Sequence, residues 1–149
     1  MRLVIQRVSS ALVTVENNLT GKIGQGLVIL AGFSHLDDDG IITKLAEKAV
    51  NLRVFEDVDG KMNLSLLDVK GAVLLVSQFT LYADCRKGRR PSFTDAAPPE
   101  KAQVLYQKLI DAFKSYRIDV QTGVFGARML VNINNDGPVT IVLDSEDIC

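Results

Sequence analysis

Through the first third of the chain, apolar residues alternate or run in short blocks rather than recurring at helical steps. Leu3 and Ile5, then Val4 and Val8, alternate around Gln6 and Arg7, and residues 11–16 are β-branched and alternating, with Asn17-Asn18 suited to a following turn. Leu27 to Phe33 is almost continuously apolar, the pattern of a strand buried on both faces. The period changes after Asp37-Asp38-Asp39. These carboxylates suit a helix N-cap, and Ile42, Leu45, Ala46, Ala49 and Leu52 follow at three- and four-residue steps. A short strand (Arg53-Val54-Phe55) and a turn (Asp57-Val58-Asp59-Gly60) come next, and then a second buried strand, Val73 to Phe79, polar only at its end. Ala97-Pro98-Pro99-Glu100 starts a second helix, whose stripe runs through Ala102, Leu105, Tyr106, Leu109, Ala112, Phe113 and Tyr116. The last stretch reads as a hairpin: Met129–Ile133, a turn at Asn134–Gly137, and Val139–Leu143. Two main helices among many strands predict an α+β fold, a single domain over residues 1–149 with a largely antiparallel, barrel-like β-sheet.

Composition narrows the class. A chain of 149 residues, 47% hydrophobic and 23% charged, suits one core that buries roughly 70% of the unfolded surface. No apolar run approaches the roughly 20 residues that span a bilayer, and the N-terminus reads as a strand, not a signal peptide. A cytoplasmic protein with no membrane partner is the expectation. Cys85 and Cys149 make neither a disulfide framework nor a metal cluster, and no metal or cofactor is expected. The net charge of −1 and pI near 5.8 argue against a protein that grips long nucleic acid by neutralising many phosphates. They leave room for a short contact with one strand end.

Candidate chemistry is sparse. The single histidine, His35, leaves no basis for a Ser-His-Asp triad without it, and it reads as a loop residue. Cys85, beside Arg86 and Lys87, reads as a thiol with no chemical partner. Asp57–Gly60 has the start of a calcium loop but not its later ligand spacing, which leaves a hairpin turn. Ser77-Gln78-Phe79-Thr80 places hydroxyl, amide and aromatic groups where a strand leaves its ladder with free N–H groups. A strand simply emerging into solvent fits equally well, except that Phe79 needs something to pack on. Gly137-Pro138 is explained by turn punctuation, and its cis or trans state is open. Arg86-Lys87-Gly88-Arg89-Arg90-Pro91 concentrates four positive charges just after the first of these segments, which suits a phosphate contact.

Taken together, these segments resemble the D-aminoacyl-tRNA deacylase (D-tyrosyl-tRNA deacylase) family. Residues 77–84 are similar to its first signature and residues 135–140 to its second. The likeness continues through residues 2–8, 87–93 and 123–129, so it spans nearly the whole chain. The resemblance implies hydrolysis of the ester of D-aminoacyl-tRNA, and of glycine mischarged on alanine tRNA, by a homodimer with active sites at the subunit interface. It implies that Ser77, Gln78, Phe79 and Thr80 form the catalytic platform, and that a Gly137-cis-Pro138 pair from the partner subunit excludes L side chains. Arg7, Leu81, Phe125, Ala127, Met129, Val139 and Thr140 would support the pocket. Arg86, Lys87, Arg89 and Arg90 would meet the phosphates of the tRNA 3′ end. With no histidine base, the resemblance implies catalysis assisted by the substrate's own 2′-hydroxyl. Two other readings stand beside it: a small nucleic-acid-binding module resting on residues 86–90, and an unrelated esterase using Thr80 or Ser77 as nucleophile.

Overall fold

β1 (Arg2–Val15) organises the sheet, because it is long enough to pair with three other strands at once. In the computed structural model, which describes residues 1–148, one edge of β1 carries β3 (Gly26–Gly32) along residues 2–8 and β2 (Asn18–Ile23) along residues 11–15. Its other edge carries β8 (Leu130–Asp144) from Arg2 to Thr14. All three pairings are antiparallel. Beyond β3 the sheet continues in parallel through β6 (Ala72–Ser77) and β7 (Val120–Thr122). β2 curls back against β7, so closely that a Cβ on Gly21 would sit 2.7 Å from the Thr122 carbonyl oxygen. The sheet is therefore mixed and nearly barrel-shaped. A separate hairpin joins β4 (Phe55–Glu56) to β5 (Met62–Leu64).

The alternation in the sequence becomes two apolar layers on either side of this sheet. Leu3, Ile5, Leu27, Ile29 and Leu75 face α1 (Asp39–Asn51) and α2 (Pro99–Ser115), which bury Leu45, Ala49, Leu109 and Phe113 against them. Val8, Val13, Val28, Leu74 and Val76 fill the concave side. Burying each such Leu, Ile or Phe contributes about 1.5–3 kcal/mol, and this layer fixes where the ends of β3 and β6 emerge. Asp38 caps α1, its carboxylate accepting from Ile41 N–H at 2.9 Å. A short α3 (Ser145–Ile148) ends the described chain, and the α-amino group of Met1 is buried between Asp37 and Ser145. Among the described residues, no helix is long and apolar enough to cross a membrane.

Several expectations are corrected. The segment after Met129 is not a hairpin: β8 runs unbroken along β1, and Asn134–Gly137 begins a bulge rather than a reversal. The chain reverses instead at Glu16-Asn17, both in the left-handed region, one residue earlier than Asn17-Asn18 suggests. The strand expected at Arg53–Phe55 begins at Phe55, and the one expected to reach Phe79 ends at Ser77. β2 and β7 were not anticipated. Cys149 lies outside the described residues.

Candidate functional site

β6 carries Val73–Val76, all essentially buried, to the rim of the sheet, where Gln78 N–H still donates to the Ala31 carbonyl at 2.7 Å. The chain then tightens into a 3-10 turn, Phe79–Tyr82, with Leu81 N–H donating to Gln78 O at 3.3 Å. The turn sits hard against β3. A Cβ on Gly32 would lie 2.9 Å from Gln78 O and 3.0 Å from the Leu81 Cβ, so this approach requires glycine. No side chain caps the turn. The N–H groups of Phe79 and Thr80, the first in the turn, have no acceptor within it. The Gln78 side-chain amide donates a short hydrogen bond to Thr80 Oγ1, tying these two side chains to one another.

A largely apolar cleft of about 630 Å³ opens beside this turn. Ser77, Gln78 and Phe79 form one wall, and Phe125, Ala127 and Met129 another, so six of the residues singled out from sequence meet here. The start of α2 and the segment before it, Ala96–Pro99, supply a third side. Phe79 is 58% exposed and packs edge-on against Phe93, ring centroids 5.0 Å apart. Phe33 and Phe93 complete the aromatic surface, and neither was singled out from the sequence. Phe93 lies within one of the family-like segments, and that was the only available signal. Leu81 stands apart from the cleft, its carbonyl accepting from Arg2 Nη1 at 3.0 Å.

Arg7, Gly137, Pro138, Val139 and Thr140 form a second assembly, outside the lining of that cleft. Between the pairs Gln6–Thr140 and Val8–Asn135, four residues of β8 leave the ladder. The Gly137-Pro138 peptide bond is cis, and Gly137 has φ +125°, where L side chains are strained. Arg7, only 6% exposed, donates from Nε to Asp136 O at 3.0 Å and from Nη1 to Val54 O at 2.7 Å. From the other side Asn135 clamps the loop through its amide: Oδ1 accepts from Val139 N–H at 3.0 Å and Nδ2 donates to Val139 O at 3.2 Å. The bracing role of Asn135 was missed, because in sequence it reads as a turn former. Thr140 is held by Gln6, whose Nε2 donates to Thr140 Oγ1 at 3.1 Å.

The basic segment is a closed loop. Asp84 and Ser92 exchange backbone hydrogen bonds at its base, at 2.7 and 3.0 Å. Arg86 grips the Asp84 carboxylate through Nε and Nη2, both at 2.8 Å. That contact pulls the Asp84 carboxyl down to about 2. Lys87, Arg89 and Arg90 are exposed at the tip. His35 is a loop residue, its Nε2 2.9 Å from Thr94 O, and it does not line the Ser77–Phe79 cleft.

A family model described as D-Tyr-tRNA(Tyr) deacylase matches residues 4–144. A D-aminoacyl-tRNA deacylase of Thermosipho africanus is 55% identical over 148 residues, covering 99% of each chain. The fold is similar to the solved structure of a c-Myc DNA unwinding element binding protein, with TM-score 0.91 and 40% identity over 97% of this chain and 98% of that one. It is also similar to a probable eukaryotic D-amino acid tRNA deacylase, with TM-score 0.83 and 18% identity over 95% and 97%; at that identity the likeness concerns the fold alone.

Proposed function

The chain belongs to the D-Tyr-tRNA(Tyr) deacylase family and is a carboxylic ester hydrolase, a D-aminoacyl-tRNA deacylase; we propose that it carries out the reaction in the cleft beside Phe79–Tyr82. The observation that carries this reading is a pair of unpartnered turn N–H groups, Phe79 and Thr80, at the rim of an apolar cleft fitted with exposed aromatic rings. The terminal adenosine packs on Phe79 and Phe93, and the ester carbonyl turns toward those N–H groups. One preorganised oxyanion donor lowers such a barrier by roughly 3–4 kcal/mol. No imidazole stands in the cleft wall, and Thr80 Oγ1 is engaged by Gln78, so neither side chain is set up as base and nucleophile. The substrate's 2′-hydroxyl assists the attacking water instead. Ser77 and Gln78 orient the adenosine and that water.

Selectivity comes from Gly137-Pro138 of a second subunit. Its carbonyl oxygens hold the substrate's α-amino group and leave no room where an L side chain would point; rejection by steric exclusion is an established route to specificity. Glycine has no side chain to exclude, so glycine mischarged on alanine tRNA is hydrolysed as well. A homodimer is supported by β8, a 15-residue strand paired on one edge only, with Leu130 and Val142 exposed on it. The cations of Arg86, Lys87, Arg89 and Arg90 meet phosphates of the tRNA 3′ end.

Purified protein offered D-tyrosyl-, L-tyrosyl- and glycyl-tRNA is expected to hydrolyse the first and third and spare the second. Equal hydrolysis of the D and L esters would sink chiral exclusion. Full-rate cleavage of a substrate ending in 2′-deoxyadenosine would sink the assisted mechanism, and a dead but substrate-binding T80A would restore a threonine nucleophile. The similarity to a DNA unwinding element binding protein favours one rival, binding of duplex DNA. Salt-sensitive duplex binding with no deacylation would establish it.

A further inference from the structure

A second cleft, of about 660 Å³, lies on the far side of the same turn. The two clefts share their dividing wall. Phe33 lines the first and Ser34 the second, Phe79 the first and Tyr82 the second, Ala96 the first and Asp95 the second. The Ser34–Ala96 bridge and the hydrogen bond from Ala97 N–H to Phe33 O, 2.8 Å, form the partition. The second cleft is the more polar of the two, and the basic loop opens from it through Asp84, Cys85 and Arg86.

Its most ordered feature is Arg2. The guanidinium lies over the Tyr82 ring, 4.6 Å from the centroid, with Nε on Asp144 at 2.6 Å and Nη1 on Leu81 O at 3.0 Å. Those three contacts hold a planar cation in place while a third of the side chain stays open to solvent. A fixed guanidinium plane is a stacking surface for a nucleobase. Asp95 and Glu146, also in this wall, have no ion-pair partner among the described residues. Two carboxylate acceptors in the wall beside a stacking plane match a base that presents an exocyclic amino group, as cytosine does through N4.

We propose that this second cleft binds the nucleotide preceding the terminal adenosine, a cytidine in every tRNA, its base lying on Arg2 and its amino group donating to Asp95 or Glu146. The inference rests on the deacylase reading, with the adenosine in the first cleft, and gives the neighbouring cleft to the next residue along the strand. The connecting phosphate then crosses the partition, and the following phosphates run toward the loop of residues 84–92. A chain with net charge −1 thus takes its RNA through two shaped sockets and one local cation cluster.

The test compares hydrolysis of three D-tyrosyl esters: of adenosine, of cytidylyl-(3′→5′)-adenosine and of uridylyl-(3′→5′)-adenosine. The cytidylyl ester is expected to have a KM about tenfold below that of the adenosine ester, and the uridylyl ester to lose at least about fivefold of that gain. In D95N/E146Q the two dinucleotide esters become equivalent. Nitrogen-15 spectra of the wild-type protein give a second readout: cytidylyl-adenosine, but not adenosine, is expected to shift the backbone amides of Arg2, Asp95 and Glu146. Equal KM for all three esters in the wild type, a retained cytidine preference in D95N/E146Q, or shifts confined to residues 77–79 would each overturn the second socket. Failure to hydrolyse D-tyrosyl-tRNA itself would overturn the deacylase reading, and this proposal with it.

Discussion

The turn at Phe79–Tyr82 and the loop at Asp136–Val139 both present backbone rather than side-chain chemistry, yet they are held in opposite ways. The turn inherits its position from the core. It leaves a strand whose residues 73–75 are fully buried, where Tyr106 Oη donates to Leu75 O at 2.8 Å, and it is pinned to β3 through Gln78 N–H. The loop leaves an edge strand and is fixed by two side chains, Arg7 within and Asn135 at its base. Many small contacts hold the turn, so changes at its rim alter function before fold. The loop depends on a few strong contacts, and one substitution releases it. The selectivity proposed for its backbone atoms would therefore still depend on side chains.

Breaking the Arg7 clamp gives the largest expected effect. R7A removes charged donors from two carbonyls, each such bond contributing about 1.5–3 kcal/mol. Denaturant unfolding is expected to show a loss of about 3 kcal/mol, and the D-over-L hydrolysis ratio to fall at least about tenfold, the equivalent of roughly 1.4 kcal/mol in differential barrier. Unchanged discrimination would mean that the loop is held by something other than Arg7. G137A acts on the loop alone. Its Cβ would lie 2.9 Å from Val139 Cγ2 at a φ that costs L residues about 1–3 kcal/mol, so D/L discrimination should fall with a smaller loss of stability than in R7A.

On the other side of the comparison, F93A removes the edge-on partner of Phe79. KM for D-aminoacyl-adenosine is expected to rise about 2- to 12-fold, the worth of one aromatic pair, with the melting temperature nearly constant. A large drop in stability would refute the claim that the rim of the turn is independent of the core. The smallest effect is electrostatic. Asp84 titrates lower when folded than unfolded, so its pairing with Arg86 favours the closed loop above the ordinary carboxylate range and fades as pH falls through about 2. A carbon-13 titration of the Asp84 carboxyl giving a midpoint near 4 would show that this pair does not persist in solution.

The elements legible in the sequence were those with an unambiguous period or cap. α1 follows its Asp38 cap, α2 begins at Pro99, and β3 and β6 appear as apolar runs. β2 and β7 carry little alternation and exist because β1 and β6 offer edges to pair with, which no local pattern records. The Asn134–Gly137 misreading has a specific cause: the residues that favour a reversal also favour a bulge, and the difference is decided by β1 continuing as one strand past this stretch, which gives β8 a partner on both sides of the loop. The first cleft was legible as its two flanking segments. Ala96–Pro99 was not, because prolines that open a helix look the same whether or not they border a cavity.

The bulge also sets a rule for how this protein can be lengthened or shortened. Between the pairs Ile5–Ile141 and Ala11–Ile133, β1 has five residues and β8 has seven. Ile141 and Leu143 pack with the layer under the helices and Val131 and Ile133 with the concave layer, so each flank of the loop is seated by its own contacts. Residues 136–139 lie off the ladder, so inserting or deleting residues there would change the loop and not the register of either flank, whereas a one-residue change within a paired flank would turn that flank inside out. The loop is thus a cassette that can be exchanged in length and sequence while the barrel wall behind it stays as it is.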